Sequence, residues 1–206
     1  MDSNQIVARL TEARREIDIA IGILTPNPLS GMAPESKLAP VNESNESAPR
    51  LITRNNFKFG AASSKELLGV KAELVQTVRL ALTLSTQDFC VYDGIRTLKE
   101  QQLHVTNGTS KTMKSKHLDG LAVDLVPWIN GKPVWDWKGC YRIAHAMDLA
   151  ATELGFAGNI RWGAAWDRVL SDFGGDLGSY EQESRLYAER HPGKDFLDGP
   201  HFEWVS

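Results

Sequence analysis

The stretch that decides the fold is Ser115-Lys116-His117-Leu118-Asp119-Gly120-Leu121-Ala122-Val123-Asp124. Gly120 permits a tight turn. The alternation after it reads as a strand in which Leu121, Val123 and Leu125 share one face and Ala122 and Asp124 the other. Asp124 is thus an acid inside an apolar strand. An unpaired buried carboxylate is costly, so it is expected to meet a metal, another cation or hydrogen-bond donors. A turn that folds His117 back beside Asp124 supplies two candidate zinc ligands, and the small Ala122 leaves room beside them.

A second informative stretch lies near residue 200: Asp198-Gly199-Pro200-His201-Phe202-Glu203-Trp204. Pro200 fixes the backbone before His201, and Phe202 and Trp204 alternate with His201 and Glu203. With His201 as third ligand, two nitrogens and one oxygen leave a fourth position for water, the open geometry of a catalytic zinc. Asp198 is then a candidate general base. Spacing alone leaves this site open, because a lone histidine is usually not a ligand and Asp119 or Glu203 read equally as surface acids.

Composition narrows the alternatives. The chain has 206 residues, 23 Lys plus Arg, 26 Asp plus Glu, five His and two Cys. A net charge of −3 argues against a general nucleic-acid binder, which needs a basic face. Cys90 and Cys140 cannot build a disulfide framework or a Cys-only zinc site, so any metal rests on histidines and carboxylates. The first residues lack the basic region of a signal peptide. The apolar run over residues 17–24 contains Asp18 and is far short of the ~20 residues that span a bilayer. The expectation is a cytoplasmic protein with no membrane span, reaching any target outside the cell through a separate release route.

Three regions are expected. Apolar residues at helical spacing make residues 1–24 an amphipathic helix, strongest over 4–24, either packed on the main domain or used for self-association or docking. Residues 25–50 hold five of the nine prolines and read as a linker. A compact domain follows over 51–206. Within it, helices are expected over 64–84, 97–106 (Thr97 and Glu100 forming a capping box, Gly108 ending it), 140–154 and around 179–190. Short strands are expected over 89–92, 121–126, 160–162 and 201–205, with the rest of 167–197 irregular. This uneven mixture is α+β: a small antiparallel sheet flanked by helices. His104 and His145 are expected to pack or face solvent, His191 to lie in a loop, and Cys90 to be buried. A thiol at a helix start such as Cys140 can have a lowered pKa. Most of the six tryptophans are expected in the core.

The pattern Ser115-x-His117-x-x-Gly120-x-Ala122-x-Asp124, followed by Asp198-x-x-His201, resembles the signature of the D-alanyl-D-alanine carboxypeptidase and dipeptidase family of zinc peptidases. More closely, it is similar to the L-alanyl-D-glutamate peptidases used as bacteriophage endolysins. The likeness covers about residues 57–204 and includes Gly94-Ile95-Arg96-Thr97, Ser110-Lys111-Thr112-Met113, Val134-Trp135-Asp136-Trp137 and Arg161-Trp162-Gly163. It implies the zinc-peptidase fold shared with hedgehog signalling domains, one zinc per chain on His117, Asp124 and His201, and Asp198 as the catalytic carboxylate. It also implies Arg96 at the scissile carbonyl, with Ser115 and Trp162 supporting the site or binding substrate. The implied substrate is the peptidoglycan stem peptide, cut between L-Ala and D-Glu. Alternatives are a D-Ala-D-Ala carboxypeptidase, a non-catalytic wall- or partner-binding module on the same fold, and a virion-associated peptidase with residues 1–50 as docking arm. The chain departs from related endolysins at Trp162-Gly163-Ala164-Ala165-Trp166, where they often read Trp-Gly-Gly-Asp-Trp. The thirty or so residues before Asp198 are expected to form a larger loop over the cleft.

Overall fold

The structure, a computed structural model, describes residues 54–193 and 196–205. The helix expected over 1–24 and the linker over 25–50 lie outside the described residues. The elements run α1 (Ala61–Glu66), α2 (Ala72–Leu84), β1 (Phe89–Asp93), α3 (Leu98–Thr106), β2 (Ala122–Ile129), β3 (Lys132–Pro133), α4 (Trp137–Leu154), β4 (Ile160–Trp162), α5 (Leu177–Arg190) and β5 (His201–Trp204). A 3-10 turn at Lys116–Asp119 leads into β2. Every strand pairing is antiparallel, in the order β1-β2-β5-β4, with β3 paired to β2. The fold is therefore α+β, with a small antiparallel sheet and flanking helices. Among the described residues no helix is long and apolar enough to cross a membrane.

The core lies where α2 and α4 pack on each other and α4 packs on β2. Leu74 and Val78 of α2 and Ile143, Met147 and Ala150 of α4 are fully buried, as are Val123 and Leu125 of β2. Each large aliphatic side chain so buried contributes about 1.5–3 kcal/mol. The α4 helix starts where Asp136 accepts a hydrogen bond from the Gly139 N–H at 2.7 Å, and it stops at Gly155 in the left-handed region. The Thr97–Glu100 capping box forms as expected at α3.

Three differences from the sequence reading have local causes. The run over 64–84 is two helices rather than one, because Gly69 takes φ +81° and Lys71 is not helical. The break leaves Leu68 71% exposed while Leu67 and Val70 stay buried. The last helix before Gly155 begins at Trp137, three residues earlier than expected, so Cys140 is no longer at its start. Cys140 is buried, and burial, with Asp136 and Asp198 adding negative charge, pushes its thiol up to about 12 rather than down. Cys90 is only half-buried. The β2–β3 hairpin is not among the strands expected above, although its turn, Asn130-Gly131 with both φ positive, is a strong hairpin signal.

Candidate metal centre and its cleft

His117, Asp124 and His201 come together as the sequence pattern suggested. Each arrives by a different route. His117 rides on the 3-10 turn, whose first residue is preceded by Ser115; the Ser115 hydroxyl accepts from the His117 N–H at 3.4 Å. Gly120 closes that turn at φ +66°, and a Cβ there would sit 2.6 Å from the Gly69 carbonyl oxygen. The break between α1 and α2 thus serves the site: Lys71 N–H donates to the Gly120 carbonyl at 2.8 Å and locks the turn in place. Asp124 and His201 are cross-strand partners in the β2–β5 register. The turn before His201 is held by the Trp162 indole N–H, which donates to the Gly199 carbonyl at 2.7 Å.

The donor atoms form a small triangle. His117 Nε2 lies 3.2 Å from Asp124 Oδ1 and 3.2 Å from His201 Nδ1, and the third side, His201 Nδ1 to Asp124 Oδ1, is 3.0 Å. The outer atoms fix which lone pairs point inward. His117 Nδ1 lies 2.6 Å from the Gly94 carbonyl, which only accepts, so Nδ1 carries the proton and Nε2 offers its lone pair. His201 Nε2 faces Glu203 Oε2 at 3.3 Å, which leaves Nδ1 to face the cluster. Asp124 Oδ2 accepts from Arg96 Nη2 at 2.5 Å, leaving Oδ1 to face inward. Three lone pairs at this spacing repel unless a cation sits among them. Ligands 2.0–2.2 Å from a tetrahedral zinc are roughly 3.3 Å apart, so the triangle fits such an ion.

The surrounding charge asks for the same thing. Burial pushes the Asp124 carboxyl up, but His117 and His201 outweigh it and hold it well below the usual carboxylate range. Burial alone lowers His201, yet its hydrogen bonds to Asp124 and Glu203 and the nearby Asp198 raise it to about 9. Without another cation the cluster recruits a proton. Asp198 lies beside the cluster, its backbone carbonyl accepting from His201 N–H at 3.1 Å. Burial, then the Asp124 charge, push its carboxyl up to about 6.

The other candidates divide. Arg96 is committed to carboxylates: Nε donates to Asp93 at 2.5 Å, Nη2 to Asp124, and Nη1 to Gln101 at 3.3 Å. Two of its five N–H groups remain, and it lines the cleft. Trp162 is fully buried and supports the Asp198–His201 turn through its hydrogen bond to the Gly199 carbonyl. Ser115 lines the cleft and caps the His117 turn. His104, His145 and His191 stay outside the cluster. His104 faces the cleft with Nε2 3.6 Å from Asp93, while His145 and His191 bind the Gly175 and Tyr187 carbonyls.

Glu203 is the residue that sequence reasoning missed. Read as a surface acid, it is 5% exposed, bonded to His201 and ion-paired with Arg161. Its signal was the two-residue offset from His201, which puts both on one strand face. Gln101, fully buried, was also missed; it ties Arg96 to Ser110 and to the Thr112 carbonyl.

The cluster opens into a cleft of about 830 Å³. The segment before Asp198 does not roof it as a loop. Its longest element is α5, whose Tyr180 is fully buried and donates its hydroxyl to Asp148 of α4 at 2.5 Å; among the described residues of this segment, Tyr187, Phe196 and Leu197 reach the cleft. Ala164 and Ala165 are fully buried, so the departure from Trp-Gly-Gly-Asp-Trp packs against the core. The expectation of buried tryptophans fails for half the set: Trp128, Trp135 and Trp137 are 38%, 61% and 42% exposed.

Fold and site together define a class: an α+β domain whose two histidines and one aspartate converge in a cleft as three donors that could hold a metal ion, one short of the four that close a structural zinc site. Comparison with known proteins narrows it. The family model for phage L-alanyl-D-glutamate peptidases matches residues 55–205, and the chain belongs to that family. It is 42% identical over 116 residues to an L-alanyl-D-glutamate peptidase of Escherichia phage T5, covering 54% of this chain and 83% of that one. It is 41% identical over 84 residues to an enzyme of the same name from Listeria phage A118, covering 40% of this chain and 27% of the relative. The crystal structure of the Serratia marcescens L-Ala D-Glu endopeptidase ChiX superposes with a TM-score of 0.52 at 32% identity, over 72% of this chain and 90% of that one.

Proposed function

We propose that this chain is a zinc-dependent endopeptidase that hydrolyses the L-Ala–D-Glu bond of the peptidoglycan stem peptide and so lyses the host wall. The observation that carries this reading is the triangle of inward lone pairs on His117, Asp124 and His201 at the floor of a cleft, in a chain of the phage L-alanyl-D-glutamate peptidase family. A zinc ion held by those three residues would supply Lewis acidity and make water nucleophilic near neutral pH. Asp198 takes the proton from the attacking water as the new C–O bond forms. It returns that proton to the departing D-Glu nitrogen as the C–N bond breaks. A carboxyl poised near 6 suits both directions of transfer. Arg96 fixes Asp124, and its remaining N–H groups face charge developing on the carbonyl oxygen. Residues 51–206 are the catalytic domain in this reading. Residues 1–50 serve docking or self-association in this reading, and the enzyme stays in the cytoplasm until another protein opens its way to the wall.

The test is digestion of purified peptidoglycan by the full chain. About one zinc per chain and new D-Glu amino termini are expected, both activity and termini disappearing with a chelator or in Asp198→Ala. Release of single D-Ala residues would show the carboxypeptidase instead, and wall binding without cleavage a non-catalytic module. Wall hydrolysis that survives His117→Ala refutes the zinc-peptidase reading.

A further inference from the structure

The cleft has an aromatic wall that the hydrolytic residues do not use. Tyr92, Trp135 and Trp137 all line it and are 51%, 61% and 42% exposed. Tyr92 and Trp135 meet edge to face with ring centroids 4.9 Å apart. Tyr92 sits where the β1–β2 pairing slips between Val91 and Asp93, directly before the residue that faces Asp124. A slip of this kind re-aims a side chain, and such irregularities cluster beside active sites. Trp137 packs on the turn that carries Asp198 and His201: a Cβ on Gly199 would lie 2.9 Å from its ring. Three large aromatic side chains left in water beside a reaction centre are costly unless something covers them.

The rest of the lining shows what they are not for. Lys111, Lys114 and Lys116 line the same cleft from the segment between α3 and β2, and cations suit carboxylates. In the substrate proposed above, the carboxylates lie on the D-Glu side of the scissile bond. On the other side stands one alanine, with a single methyl, and then the lactyl ether of N-acetylmuramic acid. A methyl cannot cover three aromatic rings. A pyranose can, because its axial C–H groups form an apolar face while its hydroxyls stay in water. We infer that Tyr92, Trp135 and Trp137 form a subsite for the N-acetylmuramic acid ring of the glycan strand, so that the enzyme reads the sugar as well as the peptide. This inference rests on the L-Ala–D-Glu reading.

The test compares two substrates with the zinc-loaded full chain. One is the disaccharide tetrapeptide. The other is the same tetrapeptide with its L-Ala nitrogen acetylated, which keeps the amide and removes the sugars. The wild type is expected to prefer the sugar-bearing substrate in kcat/KM by about tenfold or more, the scale of one to two aromatic contacts. In Trp135→Ala and Tyr92→Ala that ratio falls toward one, mainly through KM, and Trp135→Phe restores it. A wild-type ratio near one, or a ratio unchanged in both alanine variants, overturns the inference. A second measurement does not depend on cleavage: titration of the peptide-free N-acetylglucosaminyl-N-acetylmuramic acid disaccharide against tryptophan fluorescence. Saturable quenching that is lost in Trp135→Ala supports the subsite, and its absence in the wild type at tens of millimolar sugar refutes it. If neither peptide is cut, or D-Ala is released, the proposed function fails, and the titration alone decides the subsite.

Discussion

Glu203 gives the sharpest test of how the metal centre is held. It accepts from His201 Nε2 at 3.3 Å and pairs with Arg161, whose Nε lies 2.9 Å away. Replacing it with alanine leaves the His201 proton without its acceptor, so the ring is free to turn and to change tautomer. Partners of ligand histidines typically carry 10–100-fold in metal affinity, so zinc binding in Glu203→Ala should weaken by that factor, about 1.4–2.7 kcal/mol. Stability should fall as well. Glu203 is 5% exposed but Arg161 can turn outward, its side chain being 34% exposed, so the cost is about 1–3 kcal/mol rather than that of a fully buried pair. Competition with a chromophoric chelator measures the first effect and urea unfolding of the metal-free protein the second. Glu203→Gln keeps an acceptor and should retain most of the affinity. Arg161→Ala, which touches Glu203 and not His201, should cost stability with the smaller effect on zinc. The pH dependence has a definite sign. Burial pushes Glu203 up, but His201 and Arg161 more than offset it and hold it below its ordinary 4.5. Its contribution is therefore present above pH 4.5 and lost as pH falls through the lower folded value, where wild type and Glu203→Ala should converge. Wild-type zinc affinity in Glu203→Ala would refute the reasoning.

Zinc should stabilise the fold through linkage: at a thousandfold over Kd the gain is about 4.1 kcal/mol, roughly 8–16 °C in Tm for a domain of this size. Differential scanning calorimetry should show that shift in the wild type and none in His117→Ala; an equal shift in both would remove His117 from the site. Asp198 must be ionised to accept a proton, so kcat/KM should rise with pH through an acid limb at or below about 6, the direction set by burial and Asp124 and lowered further by a bound cation. Asp198→Asn should lose roughly 10²–10⁴-fold in rate with zinc affinity retained, and an acid limb above pH 7 would contradict the assignment. Cys140, buried with its thiol pushed up to about 12, should resist thiol reagents at pH 8 until the protein unfolds, as a timed labelling experiment would show; rapid labelling of the folded chain at Cys140 would disprove that burial.

What the sequence makes legible is local, and what it does not is set by packing between distant segments. The turn at Gly120 and the alternation up to Asp124 are properties of ten neighbouring residues, and both appear as read. The pairing of Asp124 with His201 is a register between strands 77 positions apart; residue types alone offered His201 as a third ligand but left the site open, and likeness to a family is what supported joining them. Glu203 shows the limit most clearly. Its place on the His201 face was visible, yet whether that face met water depended on β2 and β4 flanking β5 on both sides, which no window of sequence contains. The tryptophans repeat the lesson. Trp162 lies in β4 between the sheet and Tyr180 and is buried. Trp135 and Trp137 flank Asp136, the cap of α4, and a cap sits at an element's end, where backbone groups meet solvent. Reading Asp136 as a cap would have put both rings at the rim. The same reasoning applies to Gly69, a glycine inside a helical period, whose cost in a continuous helix marked the break on which the position of His117 depends.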